Sequence, residues 1–136
     1  MKRQILILGC LLAFLLTGCA TSANEGQDPA SIENVTLSIA DVTPSGATIT
    51  ITDANIPTHV YGQWYKIQQQ MNGKWKDMTP VIDSFGFEDI GYLTNNAGIL
   101  ILDIQWEWLY GTLKPGNYRL FKEVAGQYLT VDFEIP

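Results

Sequence analysis

NVTLSIADVTPSGATITITD, residues 34–53, alternates apolar and polar side chains at every second position. Val35, Leu37 and Ile39 fall between Thr36, Ser38 and Ala40, and Ala47, Ile49 and Ile51 between Thr48, Thr50 and Thr52. A period of two belongs to a strand with one buried face, because successive Cβ atoms leave opposite sides of a pleated backbone. Between the two runs stands TPSG, 43–46, with Pro44 and Gly46 where a type I turn favours them. Two strands joined by a turn put this chain among the all-β proteins.

The pattern continues downstream. A strand is expected over residues 60–71, and NG at 72–73 turns it into a partner starting at Lys74, since both turn positions tolerate positive φ. TPVIDSFGFEDIGYLTNN, 79–96, is loop-like, with room for one short edge strand. Residues 99–105 form another strand, KPGN at 114–117 a turn, and 118–124 a strand that AGQ leads into 129–135. About seven short strands with no useful amphipathic helix point to an antiparallel β-sandwich. An up-and-down barrel would share the alternation; uneven strand spacing and the long loop favour the sandwich.

The N-terminus reads as an export signal. Lys2 and Arg3 precede an apolar run over 5–16, too short to span a bilayer but suited to a signal peptide. Leu16-Thr17-Gly18-Cys19 resembles the lipobox of bacterial lipoproteins, in which cleavage between Gly18 and Cys19 leaves a diacylated cysteine. Two acyl chains give stable attachment where one is marginal. Ile7-Leu8-Gly9-Cys10 competes for the same reading, but too few apolar residues precede it. The expected organisation is a signal peptide over 1–18, a lipidated Cys19 with a small, polar tether over 19–31, and one domain over 32–136. The location follows: the extracytoplasmic face of a bacterial membrane.

Removing Lys2 and Arg3 leaves 6 basic against 14 acidic residues. That balance argues against nucleic acid, whose affinity rests on Lys and Arg at phosphates. With Cys10 lost and Cys19 lipidated, no thiol remains to pair, so the exported domain must fold on its core alone.

IQWEWLYGTLKPGNYRLFKEV, 104–124, carries Trp106, Tyr110-Gly111, Leu113, Pro115-Gly116, Tyr118-Arg119 and Lys122. Upstream, YGQWYKIQQQMNGKW, 61–75, sets Tyr65 and Ile67 before the Asn-Gly turn and Trp75 after it. These features resemble a family of bacterial immunoglobulin-like domains, small and mostly lipoprotein-borne or exported, over most of residues 33–136. The resemblance implies an immunoglobulin-like β-sandwich. Tyr118, just inside a strand after a Pro-Gly turn, fits a tyrosine corner, whose hydroxyl bonds upstream backbone. Residues 106–110 fit a helical turn across the crossover. The Cys–Trp–Cys core of antibody domains is missing, and the architecture does not name a function.

Candidate chemistry is sparse. Asp103 and Glu107, four residues apart on a strand, would stand about 13 Å apart, beyond the roughly 5–9.5 Å of glycosidase carboxylates. Asp83, Glu88 and Asp89 share the long loop without the ligand spacing of a calcium loop. His59, the only histidine, has no thiol or second imidazole to complete a zinc site, and neither PSG nor DSF resembles a nucleophile elbow. Asn34-Val35-Thr36 matches a glycosylation sequon. Neither a metal nor a cofactor is expected. Trp64 should project to the face opposite Tyr65 and Ile67, beside Lys66 and Gln68, and Trp75 is flanked by Lys74 and Lys76. Such tryptophans suit stacking on sugars or anchoring a protein. The expected function is a non-catalytic, membrane-anchored module that binds or positions another envelope component, an unidentified protein or glycan, through one sheet face or the 79–97 loop. A glycan-binding module using Trp64 and Trp75 is the alternative, and a hydrolase using acidic residues ranks below both.

Overall fold

The computed structural model describes residues 28–136. The expected signal peptide, Gly18, Cys19 and most of the expected tether therefore lie outside the described residues. The elements are β1 (Val35–Ala40), β2 (Gly46–Asp53), β3 (Tyr65–Met71), β4 (Lys74–Asp77), β5 (Ile99–Gln105), α1 (Glu107–Tyr110), β6 (Gly116–Val124) and β7 (Gln127–Ile135).

They form two sheets, one ordered β1-β2-β5 and the other β4-β3-β6-β7, with every ladder antiparallel. Two separate sheets make this the expected sandwich and not a barrel. In the first hairpin Leu37 faces Ile51 and Ile39 faces Ile49, so the alternating apolar residues share one side. Thr43 Oγ1 accepts the N–H groups of Ser45 and Gly46 and closes the turn between them. Asn72 and Gly73 both adopt positive φ, as a two-residue hairpin between twisted strands requires.

Trp106 is wholly buried where the chain leaves β5 to cross to the other sheet. Its indole stacks on Phe133, ring centres 5.1 Å apart, and Phe133 stacks in turn on Tyr118 at 5.5 Å. Each such pair adds about 0.5–1.5 kcal/mol beyond area burial. Trp106 Nε1 donates to the Pro44 carbonyl at 2.8 Å, which also accepts from Leu113 N–H. Ser45 O accepts the N–H of Trp106 and of Glu107. The first hairpin's turn thus satisfies donors at the start of α1 that no intrahelical acceptor can reach. Residues 107–110 form the expected helical turn.

Two sequence readings need adjustment. The strand expected from Val60 begins only at Tyr65. Tyr61 instead drives its ring into the core, and the carbonyls of Gly62 and Trp64 turn toward Lys122 Nζ, 2.6 and 2.8 Å away. Carbonyls so directed are unavailable to a ladder. The long connection between β4 and β5 forms no strand; Tyr92 makes an isolated bridge with Tyr61. At the other end of the chain, Ala30 N–H donates to Tyr128 O, so residues read as the end of the tether lie beside β7.

Candidate functional site

The free edge of β5 and the long connection enclose a cleft of about 230 Å³, lined by Gln63, Tyr65, Phe87, Tyr92, residues 102–105 and Trp108. It is partly open to solvent, and its volume falls below the roughly 300–1,000 Å³ of small-molecule pockets. Each wall has an identifiable cause. In α1, Leu109 and Tyr110 face the core, and helical geometry turns their neighbour Trp108 outward to 44% exposure. Leu109 O accepts Val81 N–H and ties the long connection to α1.

Phe87 then sits among three rings: Tyr65 at 5.2 Å, Trp108 at 5.9 Å and Phe85 at 6.3 Å, each edge-on. Gln63 holds the far wall. Its amide nitrogen donates to Tyr92 OH at 3.1 Å, and its amide oxygen accepts Glu88 N–H at 3.0 Å. On the floor, Tyr65 OH donates to Gln105 O at 3.3 Å. Burial pushes that phenol up to about 12, partly opposed by a hydrogen bond with Trp108. It stays neutral and donating across the physiological range.

Each carboxylate singled out in the sequence faces solvent. Asp103 is exposed and accepts from Thr48 Oγ1 at 2.9 Å; Glu107 is exposed and accepts from Thr112 Oγ1 at 3.2 Å. Asp83, Glu88 and Asp89 are exposed along the connection, and no metal-holding cluster occurs among the described residues. Trp75 lies on β4 opposite Gln70, Trp64 just precedes β3, and neither lines the cleft. Trp64 leans on Tyr128 at 5.5 Å, Trp75 lies under Arg119 at 4.1 Å, and both are half-buried. Tyr118 OH donates to Lys114 O at 2.6 Å and pins the turn into β6.

A fold of two sheets with a tryptophan at the crossover and a tyrosine hydroxyl bonded back across the next turn accompanies a match to the model of the bacterial Ig-like domain over residues 31–134. The chain belongs to that family. No curated protein and no solved structure matches it. Within this Ig-like sandwich, two buried charges went unread in the sequence. Asp53, at the end of β2, accepts five hydrogen bonds, from Asn55 N and Nδ2, His59 N and Nδ1, and Tyr61 OH. Burial alone would raise its pKa, but these donors outweigh it and hold the carboxyl well below the usual range. His59, given no role from the sequence, thus secures the turn after β2. Burial and the Asp53 carboxylate push the Tyr61 phenol well above its ordinary value. Lys122 is the second, and its parity with Leu120 and Val124 along β6 places it on the inner face.

Proposed function

We propose that this Ig-like chain is a non-catalytic module, lipidated at Cys19 and held at the extracytoplasmic face of a bacterial membrane, that captures another envelope component at the cleft beside β5. One observation carries the reading: aromatic side chains from three separated segments, Tyr65, Phe87 and Trp108, converge on an open groove. Aromatic side chains are enriched among the residues that dominate binding at interfaces, and Trp108 is 44% exposed here. The family membership supports a binding role over a catalytic one.

The test is crosslinking in intact cells, with a photoreactive phenylalanine derivative at position 108 and a control at Ser38, which is exposed on β1. The expected result is an adduct from position 108 absent from position 38. Equal labelling from both, or none from position 108 in a membrane-localised chain, would remove the reading.

A second reading rests on Trp64 and Tyr128, two partly exposed rings 5.5 Å apart on the outer sheet face beside Lys66 and Gln68. Such a pair suits stacking on a glycan.

A further inference from the structure

The two sheets are unequal: β5 ends a three-stranded sheet opposite a four-stranded one. Its alternate backbone groups are already assigned. Trp106 N–H bonds to Ser45 O, and Gly98 O accepts Asp53 N–H, so the even-numbered residues between them face β2. The odd-numbered residues face outward. Ile99 does so toward Asn95, whose N–H reaches Ile99 O and whose side-chain oxygen accepts Ile99 N–H. At the other end Gln105 O accepts Tyr65 OH. Between these two closures, the N–H and C=O groups of Ile101 and Asp103 and the N–H of Gln105 have no partner among the described residues. Ile101 is 63% exposed.

We infer that β5 accepts an extended peptide segment bearing a lysine or arginine, which adds as a fourth strand along the cleft. The inference rests on the proposed binding role of that cleft and names the class of its ligand. Three observations favour it over a sugar. The open positions are strand rungs, and rungs two residues apart repeat at roughly 6.8 Å, the spacing of another strand. The rings around Phe87 interlock edge-on, which makes side-chain niches and not an open stacking platform. Charge completes the argument. Asp103 lines the cleft, Glu88 and Glu107 adjoin Phe87 and Trp108 in the chain, and no lysine or arginine lines it among the described residues. A cationic side chain is the complement of such a rim.

The experiment uses the full-length chain in detergent micelles and a phage-displayed library of random dodecapeptides. Selected peptides are then measured against Asp103→Pro, Asp103→Lys and wild type. Proline removes an outward N–H from an edge strand, where it is tolerated, without touching the ladder to β2. Asp103→Lys leaves the backbone intact and carries the test if the proline variant does not fold, as judged by circular dichroism. The expected result is Lys- or Arg-containing peptides that bind either variant at least tenfold more weakly. Three results would overturn the inference: no selected peptide, peptides that bind both variants as well as wild type, or a concentration-dependent dimer of the chain abolished by Asp103→Pro. Binding of a peptidoglycan digest that Asp103→Lys weakens, with no peptide selected, would assign the cleft to sugars. Crosslinks from position 108 without peptide selection would leave the proposed function standing and remove only this inference.

Discussion

Lys122 Nζ lies 2.8 Å from the carbonyl oxygen of Trp64 and 2.6 Å from that of Gly62, on the inner face of the sandwich. The ammonium holds the approach to β3 in place, yet burial lowers its pKa to about 8. Below pH 8 the charged form carries a desolvation cost that the unfolded chain does not. Between pH 8 and the unfolded value near 10.4, the unfolded state binds more protons than the folded one, so stability rises with pH. The contribution reaches roughly 2–3 kcal/mol near pH 10. Beyond that, Tyr65 and the other buried phenols, whose folded pKa values are raised, reverse the slope. Urea titrations from pH 7 to pH 11 should show a maximum near pH 10. In Lys122→Met the rise should vanish; an unchanged profile would refute this account of Lys122.

Asp53→Asn preserves shape but turns an amide N–H₂ toward groups that are themselves donors. Its cost should be about 2–4 kcal/mol, measured by chemical denaturation at pH 7. Because the folded pKa is depressed, the stabilisation is present above the unfolded value near 3.9 and is lost as pH falls below it. The wild-type protein should therefore lose stability more steeply than the variant as the pH falls from 5 to 2. Parallel curves would show that Asp53 is not the acid-sensitive group.

Trp106→Phe removes the donor to Pro44 O and leaves part of the indole's volume empty at a wholly buried position. The expected loss is about 2–4 kcal/mol. Tyr118→Phe removes only the hydroxyl bonded to Lys114 O and should cost about 1–2 kcal/mol. Thermal melts that rank the two in the opposite order would contradict the assignment of Trp106 as the principal link between hairpin turn and crossover.

Trp64→Ala should fold, since Lys122 holds the Trp64 backbone carbonyl and not its ring. If the outer sheet face stacks on glycan, this variant should retain purified cell-wall fractions at least several-fold less well than wild type. Equal retention by a folded variant would dispose of that second reading.

Cys19→Ser should abolish lipid attachment and shift the protein from the membrane fraction into the soluble one. Mass analysis of the wild-type N-terminus should show diacylglycerol on Cys19. An unmodified thiol there would end the anchoring proposal.

The first hairpin shows what a period of two can reveal. Leu37 pairs with Ile51 and Ile39 with Ile49, so a list of alternating residues already contained the buried face and the turn between its strands. Residues 72–73 were equally legible, because Asn-Gly relieves the steric cost of positive φ locally. The cleft was not legible. Tyr65, Phe87 and Trp108 meet from a strand, a loop and a helical turn, and no spacing along the chain encodes that meeting. Nor could the role of Asp53 be found locally, since an acidic residue at a strand end is ordinarily solvated.

By itself, then, the sequence determined the strand alternation, the hairpin turns, the helical turn after β5 and the sandwich class, all of which follow from steric and hydrophobic rules acting over a few residues. Only the tertiary structure decided that Lys122 and Asp53 are buried with partners, that Phe87 joins Trp108, and that β5 keeps an open edge. Those outcomes depend on which distant donors, acceptors and rings the sheet packing delivers to one place, and that information exists only once the chain has closed on itself.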